Sequence, residues 1–264
     1  MTTTTCPEAI RRLICGKEYA VDEIGMSGAE ILLFDDCVLK TLPYRKENDD
    51  TVEMMRWLSG RLPVPEVLCY EHDSERQYLL MLKLPGRMAC DPYYLERPQE
   101  LVALLTQALR MLWRVDVSDC PRKGTLDAAL RQAAYRVEHG LVDPAAVEPT
   151  TFGERGFQGP QALLAWLEEH RPPLDPVLSH GDFCLPNLFL SDGRISGFVD
   201  LGKTGVGDRW NDVALCYRSL KHNSSGAYGE KVYPGIDPDL LFEALGLAPD
   251  WEKLKYYTLL DELL

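Results

Sequence analysis

Two hydrophobic patterns divide this chain, and the change between them falls near residue 84. Before it, short apolar runs alternate with turn residues. Ile31-Leu32-Leu33-Phe34 and Cys37-Val38-Leu39-Lys40 flank Asp35-Asp36, and Val67-Leu68-Cys69-Tyr70 precedes Tyr78-Leu79-Leu80-Met81-Leu82. Runs of this length, bounded by turn formers, predict paired strands. Val52 to Trp57 has helical character and is ended by Pro63-Val64-Pro65. Glu8 to about Leu84 therefore reads as a mixed, strand-rich lobe, closed by the Leu84-Pro85-Gly86 break.

Beyond that break the period becomes helical. Leu101, Leu104, Leu105, Ala108, Leu112 and Val115 mark one face of a helix from Glu100 to Val115. Further helices are expected over Leu126–Val137, Gln161–Glu169, Asp212–Leu220, Asp239–Leu245 and Trp251–Leu263. One interruption stands out. Leu188-Phe189-Leu190 and Ile195-Ser196-Gly197-Phe198-Val199 flank Asp192-Gly193, a strong hairpin signal. The expected fold class is α+β in two lobes: a small antiparallel-sheet N-lobe over 1–84, a hinge at about 81–86, and a larger helical C-lobe over 85–264.

Composition changes this picture little. Apolar residues make up 45% and charged residues 26% of the 264, as in an ordinary globular protein. No run of about twenty apolar residues predicts a membrane span, and no signal peptide is visible at the N-terminus. The eight cysteines form no close CxxC pair, so reduced thiols and a cytoplasmic location are expected. The net charge of −13 argues against nucleic acid as a partner, while an acidic cleft would concentrate a polycationic small molecule.

The chemistry-bearing segment is His180-Gly181-Asp182-Phe183-Cys184-Leu185-Pro186-Asn187, followed by the hairpin and Asp200. A hairpin brings its two ends together, so Asn187 and Asp200 are expected to converge, with Asp182 able to join them. Two carboxylates and an amide oxygen suit Mg²⁺. One carboxylate is left to accept a proton. That division of labour is the one kinases use.

The His-Gly-Asp…Asn…Asp pattern resembles the catalytic segment of aminoglycoside phosphotransferases, which share the protein-kinase-like fold. Likeness to the aminoglycoside 3′-phosphotransferases extends through Gly207-Asp208-Arg209-Trp210-Asn211-Asp212, Leu62 to Leu68, Asp119-Cys120-Pro121 and the closing helix Trp251 to Leu264. The resemblance implies Asp182 as the catalytic base and Asn187 and Asp200 as Mg²⁺ ligands. It implies Lys40 on the nucleotide phosphates, with Met26 and Ser27 of the Gly25–Gly28 loop supplying backbone amides. It places adenine against the backbone of Leu82 to Leu84. Asp261, Glu262 and the carboxylate of Leu264 would meet aminoglycoside amines, helped by acids of the Glu148–Glu154 loop. Lys203 stands where many relatives have Arg, and Leu264 replaces a frequent aromatic end. The implied activity is phosphorylation of an aminoglycoside 3′-hydroxyl by ATP, with GTP as the alternative donor, giving antibiotic resistance, by a monomer or weak homodimer. The alternatives are a kinase for choline, a sugar amine or homoserine, or a degenerate pseudokinase.

Some residues in these motifs read as structural. Asp208, Arg209 and Asp212 are expected to supply a helix cap and an internal ion pair, with Arg218 joining one of them. His180 is expected to orient the loop rather than act as a base. The acidic partner that kinases place on a helix for the strand lysine is unsettled here. The family's position falls on Thr51, with Glu47 the best substitute.

Overall fold

The computed structural model describes every residue except 1–5, 23–28, 146, 155 and 228–230, and the side chains of residues 22, 47 and 48 also lie outside the described set. In chain order the elements begin with α1 (Glu8–Ile14), β1 (Ala20–Asp22), β2 (Glu30–Leu33), β3 (Cys37–Pro43), α2 (Lys46–Leu58), β4 (Val67–His72), β5 (Arg76–Leu82) and β6 (Arg87–Met88). They continue with α3 (Pro92–Leu95), α4 (Pro98–Trp113), α5 (Thr125–Glu138), α6 (Pro160–Glu169), β7 (Pro176–Ser179), β8 (Leu188–Ser191) and β9 (Arg194–Phe198). The last are β10 (Gly205–Asp208), α7 (Arg209–Ser225), α8 (Leu240–Leu245) and α9 (Trp251–Asp261). The fold is α+β, as the two patterns predict.

The chain forms two compact units. The first comprises Met1–Arg87 together with Phe189–Gly202. Its sheet is antiparallel, in the order β1-β2-β3-β5-β4. Along β3, Cys37, Leu39 and Thr41 are buried while Val38 and Lys40 are only half-buried. Successive strand residues point to opposite faces, so Lys40 lies on the face away from the buried set. Of that buried set, Cys37 and Leu39 pack with Ile10 and Ile14 of α1, Leu32, Phe34, Tyr78 and Leu80. Helix α1 escapes the sequence pattern because seven residues give only two buried positions, one turn apart. Helix α2 starts six residues before its apolar spacing begins, through the polar run from Lys46.

A contiguous boundary at residue 84 had been expected, yet the hairpin that follows Leu188 clusters with the first unit. Ser196 Oγ donates to the Pro85 carbonyl at 2.6 Å, and the Phe198 amide donates to the Pro63 carbonyl at 2.9 Å. Gly86, at φ +95°, is approached so closely that a Cβ there would lie 2.1 Å from the Leu190 carbonyl oxygen. Only glycine accommodates both that angle and that contact.

The second unit comprises Met88–Leu188 and Lys203–Leu264. Helix α4 buries Leu101, Leu104, Leu105, Ala108 and Leu112, the face its periodicity marks. Strands β7 and β10 form an antiparallel pair, Ser179 opposite Gly205 and Pro176 opposite Asp208. The Gly-Val-Gly of β10 has no alternating apolar pattern, so the sequence does not announce it. Asp208 caps α7 by accepting from the Trp210 amide at 3.2 Å. Its other oxygen, fully buried, takes Lys253 Nζ at 2.8 Å and the Tyr257 hydroxyl at 3.0 Å, which ties α9 to α7. None of the eight cysteines, all within the described residues, is in a disulfide. No described helix is long and apolar enough to cross a membrane.

Candidate active site

In the second unit, β7 runs directly into His180-Gly181-Asp182. This loop is held through its backbone by a single carboxylate on α7. Asp212 Oδ2 accepts the His180 amide at 2.9 Å, and its Oδ1 accepts the Gly181 amide and Ser179 Oγ, each at 3.0 Å. Burial pushes the Asp212 carboxyl up to about 7 against the pull of these three donors. Further along, the Leu185 amide donates to Ser219 Oγ at 3.0 Å, two turns farther down α7. The His180 carbonyl accepts from Thr204 Oγ1 at 3.0 Å, and its ring Nδ1 accepts the Asp182 amide at 3.3 Å. His180 is wholly buried, an orienter of the loop as expected.

Gly181 has φ +82°, and a Cβ there would lie 2.4 Å from the Lys203 carbonyl oxygen. The glycine is thus dictated by backbone angle and close approach together. Asp182 is half-buried. Asn187 closes a single 3₁₀ turn, Leu185–Asn187, and its Nδ2 donates to the Asp182 carbonyl at 2.9 Å and to Asp182 Oδ2 at 3.1 Å. With the amide nitrogen so used, Oδ1 is the Asn187 atom that a hard cation would take.

In the first unit, Lys40 Nζ stands 3.4 Å from Asp200 Oδ1. Asp200 has φ +57°, a left-handed conformation that aspartate tolerates better than most side chains, and its carboxylate is about half exposed. On α2, the candidate partner Glu47 lies outside the described side chains, and the neighbouring acids Asp50 and Glu53 are exposed. Asp49, which the sequence did not single out, accepts the hydroxyls of Tyr70 at 2.6 Å and Tyr44 at 3.0 Å. The Tyr70 hydroxyl leads in holding its carboxyl below the usual range. Met26 and Ser27 fall outside the described residues. The amides of Leu82 and Lys83 donate to the carbonyls of Glu66 and Asp36. An adenine edge at this strand end would therefore turn to the Leu84 amide and the carbonyls beside it.

The terminal acids lie in a network of the second unit. Lys203 Nζ is 3.3 Å from Asp261 Oδ1, and Arg218 pairs with Asp261 and, at 3.5 Å, with Glu262. Burial raises the Asp261 carboxyl, but Lys203 and Arg218 outweigh it and leave the group below its ordinary range. Glu262 is raised, chiefly by burial. Arg218 was expected to pair within the Asp208–Asp212 set, and the structure instead gives it to the C-terminal helix end. Arg209 pairs with Asp175. Glu154 is exposed. The Leu264 amide closes the last turn on the Asp261 carbonyl at 3.0 Å, and Leu263 is buried.

Asp212, expected only to serve an internal ion pair, and Ser219, given no role by the sequence, are the two α7 residues that fix the loop running from His180 to Leu185. A signal was present: Asp212 precedes Val213-Ala214-Leu215-Cys216 in a buried stretch, and a carboxylate there must have dedicated donors. Among the described residues no group of three or more His, Cys, Asp or Glu gathers as a metal site. An asparagine oxygen, a lone carboxylate and phosphate oxygens are instead the donors that magnesium accepts.

Comparison with known proteins gives the family. Residues 38–257 match the APH phosphotransferase enzyme family. An aminoglycoside 3′-phosphotransferase of Enterococcus faecalis is 35% identical, with 96% of each chain covered. One of Staphylococcus aureus is 34% identical, also over 96% of each. Among solved structures, an aminoglycoside-3′-phosphotransferase of type VIII superposes with a TM-score of 0.77 at 29% identity, covering 97% of both chains. A Streptomyces rimosus aminoglycoside phosphotransferase, APH(3″)-Id, solved with ADP and streptomycin, shares the fold at a TM-score of 0.73 and 23% identity, with 96% of this chain and 95% of that one covered. A loop that offers one carboxylate and one amide oxygen, on a chain matching these enzymes nearly end to end, leaves one conclusion: the chain belongs to the phosphotransferase enzyme family, among the aminoglycoside 3′-phosphotransferases.

Proposed function

We propose that this protein transfers the γ-phosphoryl group of ATP to the 3′-hydroxyl of kanamycin- or neomycin-like aminoglycosides, which inactivates the drug. The observation that carries the reading is the Asp182–Asn187 pair on a loop whose backbone is clamped by Asp212. Asp182 accepts the proton of the attacking hydroxyl as that oxygen bonds to phosphorus. Asn187 keeps Asp182 in place through its amide nitrogen. Lys40 offers its ammonium to phosphate oxygens of the nucleotide, and Asp200 keeps that ammonium from swinging away. Mg²⁺, held by Asn187 Oδ1 and the Asp200 carboxylate, would supply neutralisation of the phosphate charge. Leu84 offers its backbone to adenine, and Asp261 and Glu262 receive substrate ammoniums. The net charge of −13 favours a polycation over a neutral sugar.

The test is ADP release across an aminoglycoside panel that includes compounds lacking the 3′-hydroxyl, with choline and homoserine as controls. Turnover with kanamycin, none with the 3′-deoxy compounds and none with the controls is expected. Turnover with choline alone would overturn the reading. Asp182→Ala should lower kcat by about 10²–10⁴-fold with ATP binding nearly unchanged. Undiminished kcat would remove the base assignment.

A further inference from the structure

Helix α7 carries Arg218 and His222 one turn apart, and the second of these does something the reaction scheme leaves unused. His222 Nε2 lies 2.5 Å from Glu148 Oε1. The Glu148 amide donates to Glu262 Oε2 at 2.9 Å, and Glu262 is itself met by Arg218. Glu148 is therefore gripped at both ends, its carboxylate by an imidazole and its amide by the terminal glutamate. The turn that follows builds on it, with the Thr151 amide donating to the Glu148 carbonyl at 2.9 Å and the Phe157 amide to the Thr151 carbonyl at 2.8 Å. The Glu148 side chain is 36% exposed, so it can receive a second cationic partner without leaving the imidazole.

A free glutamate samples many rotamers, and fixing it at the moment of binding costs affinity. A glutamate already held beside a second carboxylate escapes that cost. We propose that His222 is a positioning residue for the cationic substrate: by donating its Nε2–H to Glu148 it sets that carboxylate beside Glu262 as a preformed acceptor pair for an ammonium group. The neutral imidazole suffices, because one ring N–H is all the contact requires. The inference rests on the aminoglycoside reading of this same set of acids and names a residue outside it.

The test compares His222→Ala with His222→Gln, since a glutamine amide can reach where the imidazole Nε2–H reaches. In steady-state kinetics with kanamycin and ATP, the alanine variant should raise the kanamycin KM about three- to tenfold. Its kcat and its ATP KM should stay within about twofold, and the glutamine variant should return the kanamycin KM toward that of the parent. An unchanged kanamycin KM would overturn the proposal. So would a parallel loss in kcat and both KM values, since that reports a loosened α7 rather than a misplaced acceptor. Amide exchange at residues 148–152, measured on the protein with kanamycin and nucleotide omitted, separates this from the activity itself. Faster exchange in the alanine variant, restored by glutamine, supports the clamp, and unchanged exchange overturns it. If the parent protein phosphorylates no aminoglycoside, the functional reading falls on the kinetic arm while the exchange arm still decides the clamp.

Discussion

At Gly181 a positive φ and the carbonyl oxygen of Lys203 act on the same atom position. A methyl group there must strain the backbone and push residue 203 away, and the loop that carries Asp182 moves with it. A displacement of about 1 Å at reacting groups can cost about a hundredfold in rate. Gly181→Ala should accordingly lose about tenfold to a hundredfold in kcat while its far-ultraviolet circular dichroism matches that of the parent. Retained kcat would show that the loop tolerates the shift. Asp200 makes the complementary point. A non-glycine residue at φ +57° is uncommon, and its presence next to Lys40 marks a position where side-chain chemistry outweighs backbone comfort. The His-Gly-Asp spacing was legible in the sequence. The reason for its glycine was not, because residue 203 is distant in the chain and only folding brings its carbonyl alongside.

Helix α7 ties separate segments of the second unit together through its polar residues. Asp208 at its start and Arg218 further along reach α9, Asp212 and Ser219 reach the loop that begins at His180, and His222 reaches Glu148. The Asp208–Lys253 pair shows how much this organisation costs to disturb. Both side chains are nearly excluded from water, so removing the lysine leaves a buried carboxylate whose remaining donors among the described residues are Tyr257 and the Trp210 amide. Lys253→Met should destabilise the protein by about 3–5 kcal/mol, read as a lower urea midpoint, whereas Lys255→Met on the exposed face of α9 should change it little. Equal midpoints would show that the pair contributes nothing net. The helix itself was visible from Asp212 to Leu220, but its first turn and the functions of its polar residues were not. Hydrophobic periodicity records which face is buried and says nothing about which buried polar group meets which partner.

For the molecule as a whole, an excess of acids on a chain expected to bind a polycation makes the ionic environment a direct probe. Screening weakens attraction between separated charges, so the kanamycin KM should rise by about threefold or more between about 0.05 and 0.5 M salt, with a smaller change for ATP. A flat kanamycin KM would mean that the net charge plays no part in capture. Acid stability follows from Asp261. Its carboxyl is held below the ordinary range by Lys203 and Arg218 despite burial, so it contributes stability that is complete above about pH 4. That contribution is lost as pH falls through the lowered value. Arg218→Met leaves Lys203 to oppose burial alone and raises the folded-state value. The acid-unfolding midpoint should therefore move to higher pH, and a downward or absent shift would contradict the pairing. Under the proposed function, a substrate ammonium at Asp261 and Glu262 would meet carboxylates that already have cationic neighbours and would compete with Lys203 and Arg218.

Local spacing was enough to mark the strand-rich beginning, the long helices and the Asp192-Gly193 hairpin, and to nominate Asp182, Asn187 and Asp200 as candidates, because periodicity, turn chemistry and motif spacing are properties of neighbouring residues. Short elements carried too few positions to register: α1 has two buried residues, and the Gly-Val-Gly strand β10 has no alternation to read. Everything that depends on residues far apart in the chain was settled by folding. That includes the assignment of Phe189–Gly202 to the first unit, the grip of Asp212 on the His180-Gly181 backbone and the capture of the terminal acids by Lys203 and Arg218. Each is fixed by which buried donor finds which acceptor, and that choice is made by three-dimensional packing and the cost of leaving a charge unpaired.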